Sequence, residues 1–114
     1  MNELTNDAKF LLTSMYEVYI KRRNAGALKE EAVLFETVSG IQEEIMPEWH
    51  IEDVEFTCFE LRKHGYVKGE LLDNTIYFVS LTTEAIATLE LDFRDKADAV
   101  LEYAAKIKSA IPFL

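Results

Sequence analysis

Cys58 is the only thiol in the chain, and His64 lies six residues beyond it. A base on the same helix would reach the thiol from i+3 or i+4, and His64 occupies neither position. Cys58 also falls on the apolar side of its segment, where a small core residue is expected. His50-Ile51-Glu52-Asp53 carries three groups that bind metals, but adjacent polar residues at a helix start more simply make a solvated cap. "HGYVKGE" has two glycines after a helix and inside a strand, which is the wrong context for a phosphate-cradling loop. The acid pairs Glu30-Glu31 and Glu43-Glu44 have no reason to converge. The expectation is a non-enzyme with no catalytic, cofactor or metal residues.

The remaining chemistry is recognition. Taking about 100° per residue with Val54 inward, the outer side of 51–64 presents Glu52, Asp53, Phe56, Phe59, Glu60 and Lys63. Glu52, Phe56, Phe59, Glu60 and Lys63 are the candidate protein contacts, two aromatics ringed by charge. The same aromatics become ordinary core if the C-terminal helix folds back over them. Trp49 is expected to be buried. Basic residues that could meet a DNA backbone are Lys21, Arg22 and Arg23, with Arg62, Lys63 and Lys68, provided that the fold unites the two groups.

Periodicity supplies the elements that position these groups. Thr5 or Asn6 caps a first helix, where Ala8, Leu12, Met15 and Tyr19 recur on one side and Lys21-Arg22-Arg23 closes it at the negative end of its dipole. "NAGAL" (24–28) breaks the helix and is a candidate short strand, and "KEEAVLFETV" suggests a short helix ending at Ser39-Gly40. Pro47 interrupts "IQEEIMPEWH". Ile51, Val54, Cys58 and Leu61 mark the inner side of the next helix, which Gly65 ends. "YVKGELL" and "TIYFVSL" read as strands around Asp73-Asn74, two residues that tolerate a left-handed turn. Thr82 or Thr83 then caps a helix that either runs on or is recapped at Asp92. Phe93, Ala97, Val100, Leu101, Ala104, Ile107 and Ile111 form its apolar stripe.

Those residues carry a resemblance. Cys58 and Leu61 stand seven and four residues before Gly65, followed by Tyr66-Val67, a hairpin, Leu81-Thr82, Ala85 and Leu89. The pattern resembles the winged helix-turn-helix superfamily, in particular small bacterial regulators of the MarR and PadR kind, and the layout is similar to small phage-associated winged-helix proteins. It covers 51–90 well and the first half only by element order. The resemblance implies an α+β, mostly helical fold with a two-stranded wing and an added C-terminal helix. It would form one domain over 1–114, with a winged-helix core at 5–90 and the last helix at 91–111. It also implies that 51–64 is the reading helix. About eleven residues, Ser39 to Trp49, separate that helix from the one before it, where three or four are usual. Either the preceding helix is placed too early or there is an insertion.

Charge weighs on the function. The chain has net charge −9. Six of those units sit in residues 41–79, where nine acids face only Arg62, Lys63 and Lys68. Major-groove reading leans on Arg, Lys, Asn and Gln, and acids there need cationic neighbours. The favoured expectation is a small regulator acting through protein–protein contacts. The alternative is a DNA-binding transcriptional regulator of MarR/PadR type. Both predict a homodimer through the C-terminal stripe, unless the first helix covers that stripe within one chain. The lone cysteine, the absence of a signal-like start and the lack of a 20-residue apolar run point to the cytoplasm and away from membranes.

Overall fold

Thr5 opens the first helix, α1 (Asn6–Asn24), its hydroxyl accepting from the Ala8 N–H. The computed structural model describes residues 1–93 and 97–109. Ala8, Leu11, Leu12, Met15, Tyr16 and Tyr19 of α1 are buried, so this helix is the post around which the other elements pack. After it come a single helical turn, α2 (Lys29–Ala32), then β1 (Leu34–Thr37) and α3 (Val38–Ile45). The longer α4 (Ile51–Lys63) precedes the hairpin strands β2 (Val67–Leu72) and β3 (Thr75–Leu81), and α5 (Thr83–Phe93) and α6 (Ala97–Ser109) complete the fold. The fold is α+β and mainly helical, with one antiparallel sheet in the order β1-β3-β2.

Three expectations need correction. "NAGAL" is a turn with Gly26 at φ +99°, and the strand lies later, in Leu34–Thr37, inside the stretch read as helix. Leu34 and Phe35 are helix-compatible taken alone, but pairing with β3 satisfies their backbone and buries Phe35. The hairpin therefore carries a third strand. The helix preceding α4 lies later than the sequence suggests, since α3 runs to Ile45 and only residues 46–50 separate it from α4. Finally, Ile51 is exposed at 41%, and the inner side of α4 is Val54, Thr57, Cys58 and Leu61.

Local chemistry explains the rest. Gly65 takes φ +81°, and the Tyr66 N–H donates back to the Leu61 carbonyl at 2.9 Å, ending α4 in a left-handed cap. Asp73 and Asn74 both adopt positive φ, 52° and 65°, as a two-residue hairpin turn requires. The Thr82 hydroxyl accepts from the Ala85 N–H and donates to the Gly65 carbonyl, tying the start of α5 to the end of α4.

β3 contains a bulge. Strict alternation would turn Ile76, Phe78 and Ser80 to the same side. Instead Phe78 sits at φ +57° without a direct partner in either neighbouring strand, and the buried apolar set becomes Ile76, Val79 and Leu81. Gly69 faces this bulge on β2, with Ile76 so close that a Cβ would meet its Cγ2 at 2.5 Å.

The C-terminal stripe packs within the chain. α6 lies against α1 and α5, with Val100 and Ala104 buried and Phe93 edge-on to Tyr103 at 5.2 Å between ring centroids. Leu101 is 45% exposed. The stripe thus finds its partner in α1 and does not require a second copy, which removes the reason for expecting a dimer there. Ile111 lies outside the described residues. No helix among them is long and apolar enough to cross a membrane.

Candidate protein-contact face

The outer side of α4 follows from which residues its inner side buries. Val54, Thr57, Cys58 and Leu61 point into the core, so the 100° repeat leaves Glu52, Asp53, Phe56 and Lys63 in water. Phe56 is 76% exposed. Phe59, expected beside it in solvent, is half-buried and packs against the core. Phe56, Phe59, Glu60, Lys63 and His64 line a shallow depression of about 400 Å³, so its lining comes from α4 and its C-cap. Four of the five expected protein contacts therefore converge. Glu52 stands nearer the start of the helix, outside the depression. The C-terminal helix, which could have covered these aromatics, packs on α1 instead.

Glu60 has a role that the sequence did not reveal. The Thr5 N–H donates to its Oε2 at 2.8 Å and the Thr5 hydroxyl to its Oε1 at 2.7 Å. The carboxylate thus sits at the positive end of α1, where negative charge is favoured. Fifty-five residues separate the two, and no local signal links them. Glu55 flanks α4 on its hairpin side and accepts from the Thr75 hydroxyl at 2.6 Å. The surroundings are electronegative. Burial, and then the negative charges of Asp53 and Glu60, hold the Asp7 carboxyl above its ordinary value.

The basic residues do not gather there. Because Thr5 touches Glu60, the start of α1 lies beside the end of α4. Lys21 is sixteen residues along α1, about 24 Å away at 1.5 Å per residue. Lys21–Arg23 therefore stands apart from Arg62 and Lys63. Each member also has local employment. Lys21 pairs with Glu17 at 2.7 Å, and Arg23 donates to the Ala27 carbonyl at 3.0 Å. Arg22 donates to the carbonyls of Leu34 (2.7 Å) and Ala32 (3.3 Å), lies 4.5 Å over the Phe35 ring and approaches Glu44 at 3.6 Å. It is a clamp joining α1 to α2, β1 and α3. Arg62, Lys63 and Lys68 are exposed.

Lys68 lies on a separate groove of about 520 Å³ between α2, the sheet and α5. Val33, Leu81, Ile86 and Ala87 line it, and Lys29 and Lys68 share it with Glu30 and Glu90. Cys58 is fully buried, and burial pushes its thiol up to about 12, so it is not a thiolate at neutral pH. His50, Glu52 and Asp53 are all exposed. Among the described residues no three His, Cys, Asp or Glu side chains are grouped as a metal would need. Trp49 is buried, its ring stacked on Phe10 at 6.3 Å.

No family model, curated protein or solved structure matches the chain.

Proposed function

We propose that this chain is a small non-enzymatic regulator of winged-helix type, working mainly through protein–protein contacts made by the outer side of α4. The winged-helix part is supported by element order. From α4 onward a helix, a hairpin and a further helix follow one another in the order that the resemblance implies. In that layout α4 is the reading helix and β2–β3 the wing. The protein-contact part is carried by one observation: Phe56 stands exposed midway along α4 amid Glu52, Asp53 and Glu60. An aromatic in a shallow depression favours a protein surface, and the acids disfavour phosphate.

The competing reading, a DNA-binding regulator of MarR or PadR type, is left with Arg62, Lys63 and Lys68. Arg22 is held within the fold, and Lys21 and Arg23, though exposed, stand at the other end of α1. The two readings separate in a fluorescence-anisotropy titration of random-sequence duplex DNA at about 20 mM salt, where electrostatic binding is strongest. The expected result is no binding up to tens of micromolar protein. Binding that falls steeply with added salt, and disappears in the Arg62→Glu/Lys63→Glu double variant, would overturn the proposal. The lone buried cysteine fits a reducing compartment such as the cytoplasm.

A further inference from the structure

The outer side of α4 has an internal order that names a partner. Glu52, Phe56, Phe59 and Lys63 are spaced by four, three and four residues, so they form one continuous stripe. Read along the helix the stripe runs acid, aromatic, aromatic, base. Turned end for end it runs base, aromatic, aromatic, acid, the electrostatic complement of itself.

We propose that α4 docks against α4 of a second copy, antiparallel, about a two-fold axis midway between Phe56 and Phe59. The proposal rests on the reading of this surface as a protein-contact face and gives that face its occupant. In this register Phe56 enters the partner's depression and covers the partner's Phe59, while Glu52 meets the partner's Lys63 at each end. A self-complementary patch of this kind is what an isologous two-fold interface requires.

The flanks follow. Glu55 and Arg62 lie along one edge of the stripe, so each Glu55 faces the partner's Arg62. Along the other edge Asp53 faces the partner's Glu60, which is repulsive. Glu60 already accepts two bonds from Thr5 at the positive end of α1, which offsets part of the repulsion. Among the described residues, those lining the depression all come from α4 and its C-cap, His64, and Phe56 is left 76% exposed.

Area limits the strength. α4 is thirteen residues, about 20 Å long, and one such helix pair buries less than the roughly 800 Å² per partner of a standard interface. Association is therefore expected at about 10–100 μM. The net charge of −9 on each copy opposes it at low salt and is screened at about 0.15 M, where the Debye length is near 8 Å.

Sedimentation velocity on the full chain from about 5 to 500 μM in 0.15 M salt tests the proposal. The wild type is expected to pass from monomer to dimer over this range. Phe56→Ser should weaken the dimer by about tenfold or more, and Glu52→Lys or Lys63→Glu alone by several-fold. The Glu52→Lys/Lys63→Glu double variant should recover most of the wild-type association, because the end pairs are restored with reversed sign. All three positions face solvent or the depression, and a circular-dichroism melt of each variant confirms folding. A wild type that stays monomeric throughout, a dimer indifferent to Phe56→Ser, or a double variant no better than the singles each overturns the pairing. A monomer that also fails to bind duplex DNA removes the second copy as partner but not the protein-contact reading. Salt-sensitive DNA binding through Arg62 and Lys63 removes the reading itself.

Discussion

Replacing Arg22 separates a clamp inside the fold from a contact for DNA. In the structure its guanidinium bonds the Leu34 carbonyl at 2.7 Å and the Ala32 carbonyl at 3.3 Å, covers the Phe35 ring at 4.5 Å and stands 3.6 Å from Glu44. A hydrogen bond from a charged group contributes about 1.5–3 kcal/mol. The contact with Phe35 adds roughly 0.5–1 kcal/mol. The Glu44 pair adds little, because half of that side chain is in water. These contributions share one side chain and do not simply add, so Arg22→Ala is expected to cost about 2–3 kcal/mol. Arg22→Lys keeps the charge but not the planar fork, and should cost about 1–2 kcal/mol. Arg23→Ala, which loses one exposed bond to Ala27, should stay within about 0.5 kcal/mol. Urea unfolding followed by circular dichroism measures all three, and hydrogen exchange should show β1 losing protection first in Arg22→Ala. If Arg22→Ala is as mild as Arg23→Ala, the clamp is wrong and Arg22 is free for other work.

Two further expectations concern stability. At Gly69 a Cβ would lie 2.5 Å from Ile76 Cγ2 and 2.8 Å from the Tyr77 carbonyl oxygen, so Gly69→Ala must displace the bulge and should cost about 1–3 kcal/mol in a thermal melt. An unchanged melting temperature would mean that the bulge is plastic. The Tyr66 hydroxyl donates to Glu3 Oε1 at 2.7 Å, and mainly through this bond the Glu3 carboxyl falls from 4.5 to about 2 while Tyr66 rises from 10.0 to about 12. A depressed carboxyl stabilises the fold above pH 4.5 and loses that effect as the pH drops toward 2. A raised phenol stabilises below pH 10 and loses its effect as the pH climbs toward 12. The advantage of wild type over Tyr66→Phe should therefore be greatest between pH 4.5 and 10 and shrink on both sides. A difference independent of pH would show that the bond is not formed.

Much of this protein was legible in the order of its residues because the signals were local. Thr5 as a cap, the stripe of α1, Gly65 as a helix stop, the Asp73-Asn74 turn and Thr82 as the next cap each depend on a few adjacent residues and on backbone preferences that hold in any context. So did the outer side of α4, since one apolar stripe determines its opposite. Leu34–Thr37 was misread because four residues carry too little pattern to oppose the helix formers before them. Only the β3 edge makes them a strand. The Phe78 bulge, likewise, breaks an alternation that is regular in the sequence and shifts only where β3 meets its neighbour strands.

The sequence by itself determined the order of elements from α4 onward, the acidity around α4 and most of its solvent side, because helical periodicity and charge are properties of short segments. Only the tertiary structure decided that α6 spends its stripe on α1, that Glu60 belongs to Thr5, and that Arg22 is a clamp at the far end of α1 from Glu60. Those outcomes depend on which surfaces meet across tens of residues. The free energy of such meetings comes from shape and buried area, which no local window contains.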